Sequence, residues 1–165
     1  MIDRLETNGG ILGDLLARVS EEDSLVRPAE GKWCVREVAG HLVSEEVEDF
    51  RARLDVVLHR PADPWPPLDP DARVREGGFR GRTLASLLSE FRSERATSLA
   101  WLRSLPAPDW AKSKHHPRIG EIAAGDFLAG WAAHDLLHAR QVVRILHGLV
   151  DAGGKPFVTL YAGEW

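Results

Sequence analysis

The sequence predicts an all-α protein, a four-helix bundle with long connecting loops. Three observations carry that expectation. Apolar residues recur at helical spacing in four separate stretches. Proline and glycine gather between those stretches rather than inside them. No stretch alternates apolar and polar residues well enough to suggest a sheet. Striped helices bury their apolar faces against one another, so a bundle is the natural architecture. A chain of 165 residues suits a single domain, taken as 1–165, and is long enough for a substantial core.

The first helix is expected over residues 2–20, where Leu5, Leu12, Leu15, Leu16 and Val19 form a stripe that Gly9 and Gly10 weaken. Residues 21–32, with Arg27-Pro28 and Gly31, read as a loop. A second helix should start near Cys34, because Glu37 stands three residues on, where a capping-box acid reaches back. It can run to about Leu58 on Val35, Val38, Leu42, Ala52 and Val56. His41 borders that face. Glu45 follows one turn later, placed to orient a ligand or to act as a base. Most acids of the cluster Glu45, Glu46, Glu48 and Asp49 are expected in solvent.

Residues 59–81 carry Pro61, Pro64, Pro66, Pro67 and Pro70, then Gly77, Gly78 and Gly81, and no regular structure is expected there. Trp65 is expected to fold back over the end of the bundle. A third helix spans about residues 83–105 on Leu84, Leu87, Leu88, Phe91, Leu99, Leu102 and Leu105. Residues 106–120 read as a second loop holding His115 and His116 in solvent. The fourth helix begins between Ala123 and Asp126 and runs to about His147, ended by Gly148 and the pair Gly153-Gly154. Residues 157–161 read as a short extended tail.

The fourth helix carries the chemistry. His134, His138 and Gln141 fall on the stripe marked by Phe127, Trp131, Val142, Ile145 and Leu149. Two imidazoles one turn apart can offer two nitrogens to one divalent metal. The pair alone fits equally well with two histidines hydrogen-bonded inside a core. A third ligand decides, and His41 is the candidate. Asp135 points about 100° away from His134 and is expected to pair with a cation on the outside.

Composition removes several function classes. Hydrophobic residues make up 44% and charged residues 28%, ordinary for a globular chain. A net charge of −4 leaves no basic excess for nucleic acid. The single cysteine allows no intrachain disulfide and fits a reducing compartment. No window approaches 18 apolar residues, so no membrane span is expected. The first residues are charged and carry no signal-peptide segment, so the expected location is the cytoplasm. There is no Gly-x-Ser-x-Gly elbow and no glycine-rich phosphate loop. A thiol at a helix N-terminus has its pKa depressed, but Cys34 has no recognisable His-Asn partners and is not taken as a nucleophile.

Three segments together resemble the DinB-like superfamily of four-helix metalloproteins. Gly31-Lys32-Trp33-Cys34-Val35-Arg36-Glu37-Val38-Ala39-Gly40-His41-Leu42 is similar to its second-helix segment, with a Trp, an N-cap and then a His-Leu pair. His116-Pro117-Arg118-Ile119-Gly120 resembles its His-Pro-x-x-Gly approach to the last helix. His134-Asp135-Leu136-Leu137-His138-Ala139-Arg140-Gln141 resembles its closing His-x-x-x-His-x-x-Gln. The sequence departs from the pattern at Cys34, where Ser or Thr is usual, and at Ala123, where a hydroxyl cap is common. The resemblance implies one divalent metal per chain, held by His41, His134 and His138, with open positions for water or substrate. It also implies a metal-dependent hydrolase, or a transferase or isomerase using a low-molecular-weight thiol, acting on a small molecule and often as a homodimer. The family's link to DNA damage concerns expression and implies no contact with DNA.

Three neutral imidazoles with an open position form the layout of a catalytic zinc-type site. Zinc or nickel is the first expectation, and iron, manganese or cobalt would also accept the ligands. Glu45 is the candidate base, and Gln141 the candidate contact to a bound ligand. The alternatives to an enzyme are a non-catalytic metal- or ligand-binding bundle and a plain helical interaction domain.

Overall fold

The computed structural model describes residues 1–163. Its elements in order are α1 (Ile2–Leu16), α2 (Val35–Ser44), a π-helical segment (Glu45–Arg51), α3 (Ala52–His59), α4 (Pro70–Glu76), α5 (Leu84–Ser104), the strands β1 (Ser113–His116) and β2 (Gly120–Ala123), and α6 (Ala124–Gly153). Because α2, the π segment and α3 follow without a break, they form one long rod. With α1, α5 and α6 it makes the four-helix bundle that the stripes predict. α1 lies against α5 and α6, α2 against α5, and α3 against α6.

Helix starts are fixed by side chains that accept the free N–H groups of the first turn. Glu37 Oε2 accepts from Cys34 N at 2.9 Å, and Asp126 Oδ2 accepts from Ala123 N at 2.8 Å. The two unusual cap residues are thus compensated by acids three positions on. At α5, Thr83 Oγ1 accepts from Ser86 N at 3.1 Å, and the Glu21 carboxylate accepts from Leu84 N and Ala85 N.

The apolar core has two lobes. One gathers Leu12, Leu16, Val38, Leu42, Leu87, Phe91, Val142 and Ile145; the other gathers Leu5, Leu54, Val57, Leu102, Phe127 and Trp131. Full burial of each such side chain stabilises the fold by about 1.5–3 kcal/mol. Between the lobes, on three of the four rods, lie the buried polar residues Glu46, Arg95 and Asp135. Gly9 on α1 faces this layer. A Cβ there would stand 2.5 Å from the Arg95 guanidinium, so the glycine that weakens the helix in sequence is what lets Arg95 approach its backbone.

Several expectations are corrected. Residues 59–81 are not wholly irregular, because α4 lies within them. Asp69 Oδ1 accepts from Ala72 N at 2.9 Å, and Pro70 occupies the first helical turn, where its missing N–H costs nothing. Val74 then buries against the core, and the Phe79 ring sits where Gly40 leaves room. Residues 106–120 contain the strand β1, paired antiparallel with β2 from Ser113↔Ala123 to His116↔Gly120. Four residues per strand are too few to show alternation. α6 passes through Gly148 and ends only at Gly153, since its end is set by packing more than by propensity. Residues 157–161 are not extended; a 3-10 turn, Leu160–Ala162, lies there, with Phe157, Val158, Leu160 and Tyr161 exposed. Trp65 does fold back, donating from Nε1 to His115 O at 2.8 Å and lying 5.7 Å from the Phe127 ring. Among the described residues, no helix is long and apolar enough to cross a membrane.

Candidate metal centre

α2 delivers His41 and α6 delivers His134 and His138, and their rings meet in the bundle. His41 is buried, 4% exposed, while the other two are half-buried. His41 Nε2 lies 3.4 Å from His134 Nε2, which lies 3.0 Å from His138 Nε2. One nitrogen from each residue falls within 4.8 Å of the other two, the one such grouping among the described residues. The three histidines singled out by sequence are therefore brought together. His115 and His116 are not; they sit in β1, His115 exposed and His116 against Trp65.

The donor set fits a metal on two counts. A four-coordinate ion with nitrogen bonds of about 2.0–2.1 Å sets the ligand atoms roughly 3.3 Å apart, close to the observed separations. Burial also holds the rings neutral. It lowers the pKa of His41 and of His134 to about 3, the neighbouring imidazoles of the cluster adding to the effect, and it lowers that of His138. Neutral imidazole is the form that ligates.

Two of the three rings also have a polar group on their far side. His138 Nδ1 lies 2.8 Å from Gln141 Oε1. The amide oxygen can only accept, so Nδ1 carries the proton and the Nε2 lone pair faces the cluster. His41 Nδ1 lies 3.5 Å from Glu45 Oε1. Burial pushes the Glu45 carboxyl up to about 9, with the hydrogen bond and charge of Asp49 next and Arg53 opposing. At neutral pH Glu45 therefore keeps its proton. Apolar walls complete the centre: the Trp33 ring is 4.9 Å from His41, and Phe50 is 5.1 Å from His134 and stacked on Trp131.

Immediately behind these residues lies a second buried polar group. Arg95 donates from Nε and Nη2 to Glu46 Oε1 (2.8 and 2.5 Å), and from Nη1 and Nη2 to the two oxygens of Asp135 (2.6 and 2.8 Å). Its remaining Nη1 proton goes to Leu5 O at 2.9 Å. Trp131 Nε1 and the Ser98 hydroxyl donate to Glu46 at 3.0 and 2.9 Å. All five guanidinium donors are used. This corrects two expectations. Asp135 pairs with a cation in the core rather than outside, being only 1% exposed, and Glu46 is likewise buried rather than solvated. Glu45 is also buried, whereas Glu48 and Asp49 are partly exposed. The signal was present: Glu46 follows buried Leu42 by four residues, Asp135 follows Trp131 by four, and Arg95 lies four from both Phe91 and Leu99. Trp33 and Phe50 are the other site residues that spacing did not single out. The Cys34 thiol is also corrected. It is buried, and loss of solvation raises its pKa despite the helix N-terminus.

The family model of the DinB superfamily matches residues 4–142. No curated protein matches the sequence. Among solved structures, the chain is similar to YfiT from Bacillus subtilis, described as a probable metal-dependent hydrolase with an unusual four-helix bundle topology. The TM-score is 0.78 at 18% identity, over 90% of this chain and 85% of that one. It is also similar to the mycothiol-dependent maleylpyruvate isomerase, with a TM-score of 0.69 at 13% identity over 86% of this chain. There it spans 58% of the longer protein. At these identities the likeness shows the fold.

Proposed function

Because the chain belongs to the DinB superfamily, we propose that His41, His134 and His138 hold one divalent metal ion and that the centre is that of an enzyme acting on a small molecule. The single observation that carries this reading is the convergence of three Nε2 atoms at separations of 3.4 and 3.0 Å. Three imidazoles leave at least one coordination position free, as in catalytic rather than structural sites. Zinc and nickel suit such a ligand set best, and iron, manganese and cobalt also fit it.

When bound, the ion supplies Lewis acidity and lowers the pKa of a water or a thiol. This chain's residues prepare that position. Gln141 fixes the tautomer of His138, and Glu45 Oε1 stands 3.5 Å from His41 Nδ1, so both stand behind ligands where they orient them. Trp33 and Phe50 keep bulk water from the rings. The reaction is hydrolysis, or a transfer or isomerisation that uses a low-molecular-weight thiol. The likeness to a protein described as a probable metal-dependent hydrolase and to a mycothiol-dependent isomerase supports both directions.

Elemental analysis of protein purified without a nickel column tests the reading; one equivalent of metal is expected. No metal in that protein, and none after reconstitution, overturns it. Turnover is then sought with small thiols plus electrophilic acceptors, and with simple amides and esters. Activity that survives chelation rejects the metal's role, and a metal-loaded protein without turnover in any of these would be a binding rather than a catalytic bundle.

A further inference from the structure

A cavity of about 500 Å³ is bordered by Pro28, Lys32, Trp33, Gln141, Arg144 and Ile145, two of which separate it from the histidine cluster. Its volume is in the range of small-molecule sites. Two of its residues touch the cluster from the other side: Trp33 lies against His41, and Gln141 Oε1 binds His138 Nδ1. A molecule seated here is therefore one side chain away from the imidazoles.

The cavity's charge is one-sided. Its charged residues, Lys32 and Arg144, are both cationic in a chain whose net charge is −4. Neither makes an ion pair among the described residues. Most other arginines do, among them Arg27, Arg36, Arg51, Arg60, Arg73, Arg82, Arg95 and Arg103. The two arrive from different elements, Lys32 from the loop before Trp33 and Arg144 from α6, three residues beyond Gln141. The loop is pinned, since Arg27 donates to Lys32 O at 3.0 Å. Gln141 adds to the same polarity. Its oxygen is committed to His138, which leaves its amide protons as donors. The same lining includes the apolar surfaces of Trp33, Pro28 and Ile145.

We propose that this cavity seats an organic anion, its negative groups held by Lys32 and Arg144 and its flat apolar part against Trp33. The inference rests on the metal-centre reading only in assigning that molecule as the substrate or co-substrate of the cluster. The anion gains from focused positive potential in a concave, partly apolar site, and the planar guanidinium suits a carboxylate or a phosphate.

Calorimetric titration of the full chain with phenylsuccinate, its dimethyl ester and inorganic phosphate tests the proposal, each with metal-free and with cobalt-loaded protein. Phenylsuccinate is expected to bind about tenfold tighter than the ester, and inorganic phosphate more weakly than phenylsuccinate. Lys32→Ala and Arg144→Ala, both at exposed positions, are each expected to weaken phenylsuccinate about fivefold while leaving the ester unchanged. In the cobalt protein the ligand's proton lines should broaden beyond their width in the metal-free protein. Equal affinity for diacid and ester, indifference to both substitutions, phosphate binding as tightly as phenylsuccinate, or no cobalt broadening would each overturn the proposal. Absence of cobalt uptake, by contrast, would remove the metal reading and leave the charge-dependent binding to stand on the metal-free arm.

Discussion

Two buried polar groups sit side by side in this bundle, and they are built on opposite principles. Glu46, Arg95, Asp135, Ser98 and Trp131 form a closed set in which every guanidinium proton has an acceptor. His41, His134 and His138 form an open one, in which nitrogens converge on one point, with Gln141 bonded to the outer nitrogen of His138 and Glu45 standing beside that of His41. Sequence neighbours are divided between them: Glu45 serves the open group and Glu46 the closed one, as do His134 and Asp135. A buried polar group that satisfies itself specifies the fold, whereas one that focuses unsatisfied lone pairs prepares a place for something else.

Breaking the closed group should cost the most. Arg95→Ala leaves two buried carboxylates without their cation, Glu46 keeping only the neutral donors Trp131 and Ser98, and a loss of about 3–5 kcal/mol in denaturant unfolding is expected. A loss under about 1 kcal/mol would mean that water reaches the layer and that the group is not closed.

His138→Ala should do the reverse. Metal uptake is lost while the bundle keeps its helical circular dichroism. Wild-type protein gains about 2.7 kcal/mol from metal supplied at a hundredfold excess over its dissociation constant, and the variant gains none. Unchanged metal content in the variant would show that the ligands are wrongly assigned.

A smaller effect belongs to the support of the open group. Gln141→Ala should lower metal affinity about tenfold or more, as loss of a ligand's outer hydrogen bond does, with little change in the stability of metal-free protein. Competition against a chromogenic chelator measures it.

Acidity sharpens the contrast last. The unfolded chain protonates His41 and His134 below about 6.5, but the folded chain does so only near 3. Between those values the unfolded state binds more protons, so stability rises with pH and levels off above 6.5. Glu45 acts oppositely, because its folded carboxyl keeps a proton up to about 9 while the unfolded one releases it near 4.5. Two histidines outweigh one carboxyl below 6.5 and only Glu45 acts above it. Metal-free protein should therefore be most stable near pH 6.5, and Glu45→Gln should flatten the alkaline side in thermal unfolding.

Much of this was legible in the residues. The four stripes predict the rods because each buries a face, and the three histidines lie on those faces at spacings that let α2 and α6 present them together. What escaped was set by tertiary contact. Asp135 looks like a surface acid until Arg95 of another helix is placed opposite it. The Pro-rich connection hides α4 because its helix depends on the cap at Asp69 and on burial of Val74, neither visible in composition. The strands are too short for a pattern and exist because Trp65 and Lys112 tie them to the bundle end.

The π-helical stretch at Glu45–Arg51 has a consequence for tolerance to length change. An α-helix turns about 100° per residue, and the wider i→i+5 winding takes up one extra residue without turning what lies beyond it, as inserted residues do in such bulges. Removal of one amino acid between 45 and 51 would tighten the rod to regular α winding and keep Leu54, Val57 and Leu58 directed at α6. The same deletion between 92 and 98 in α5, which has no such bulge, would turn Leu99 and Leu102 by about 100° out of their lobe of the core.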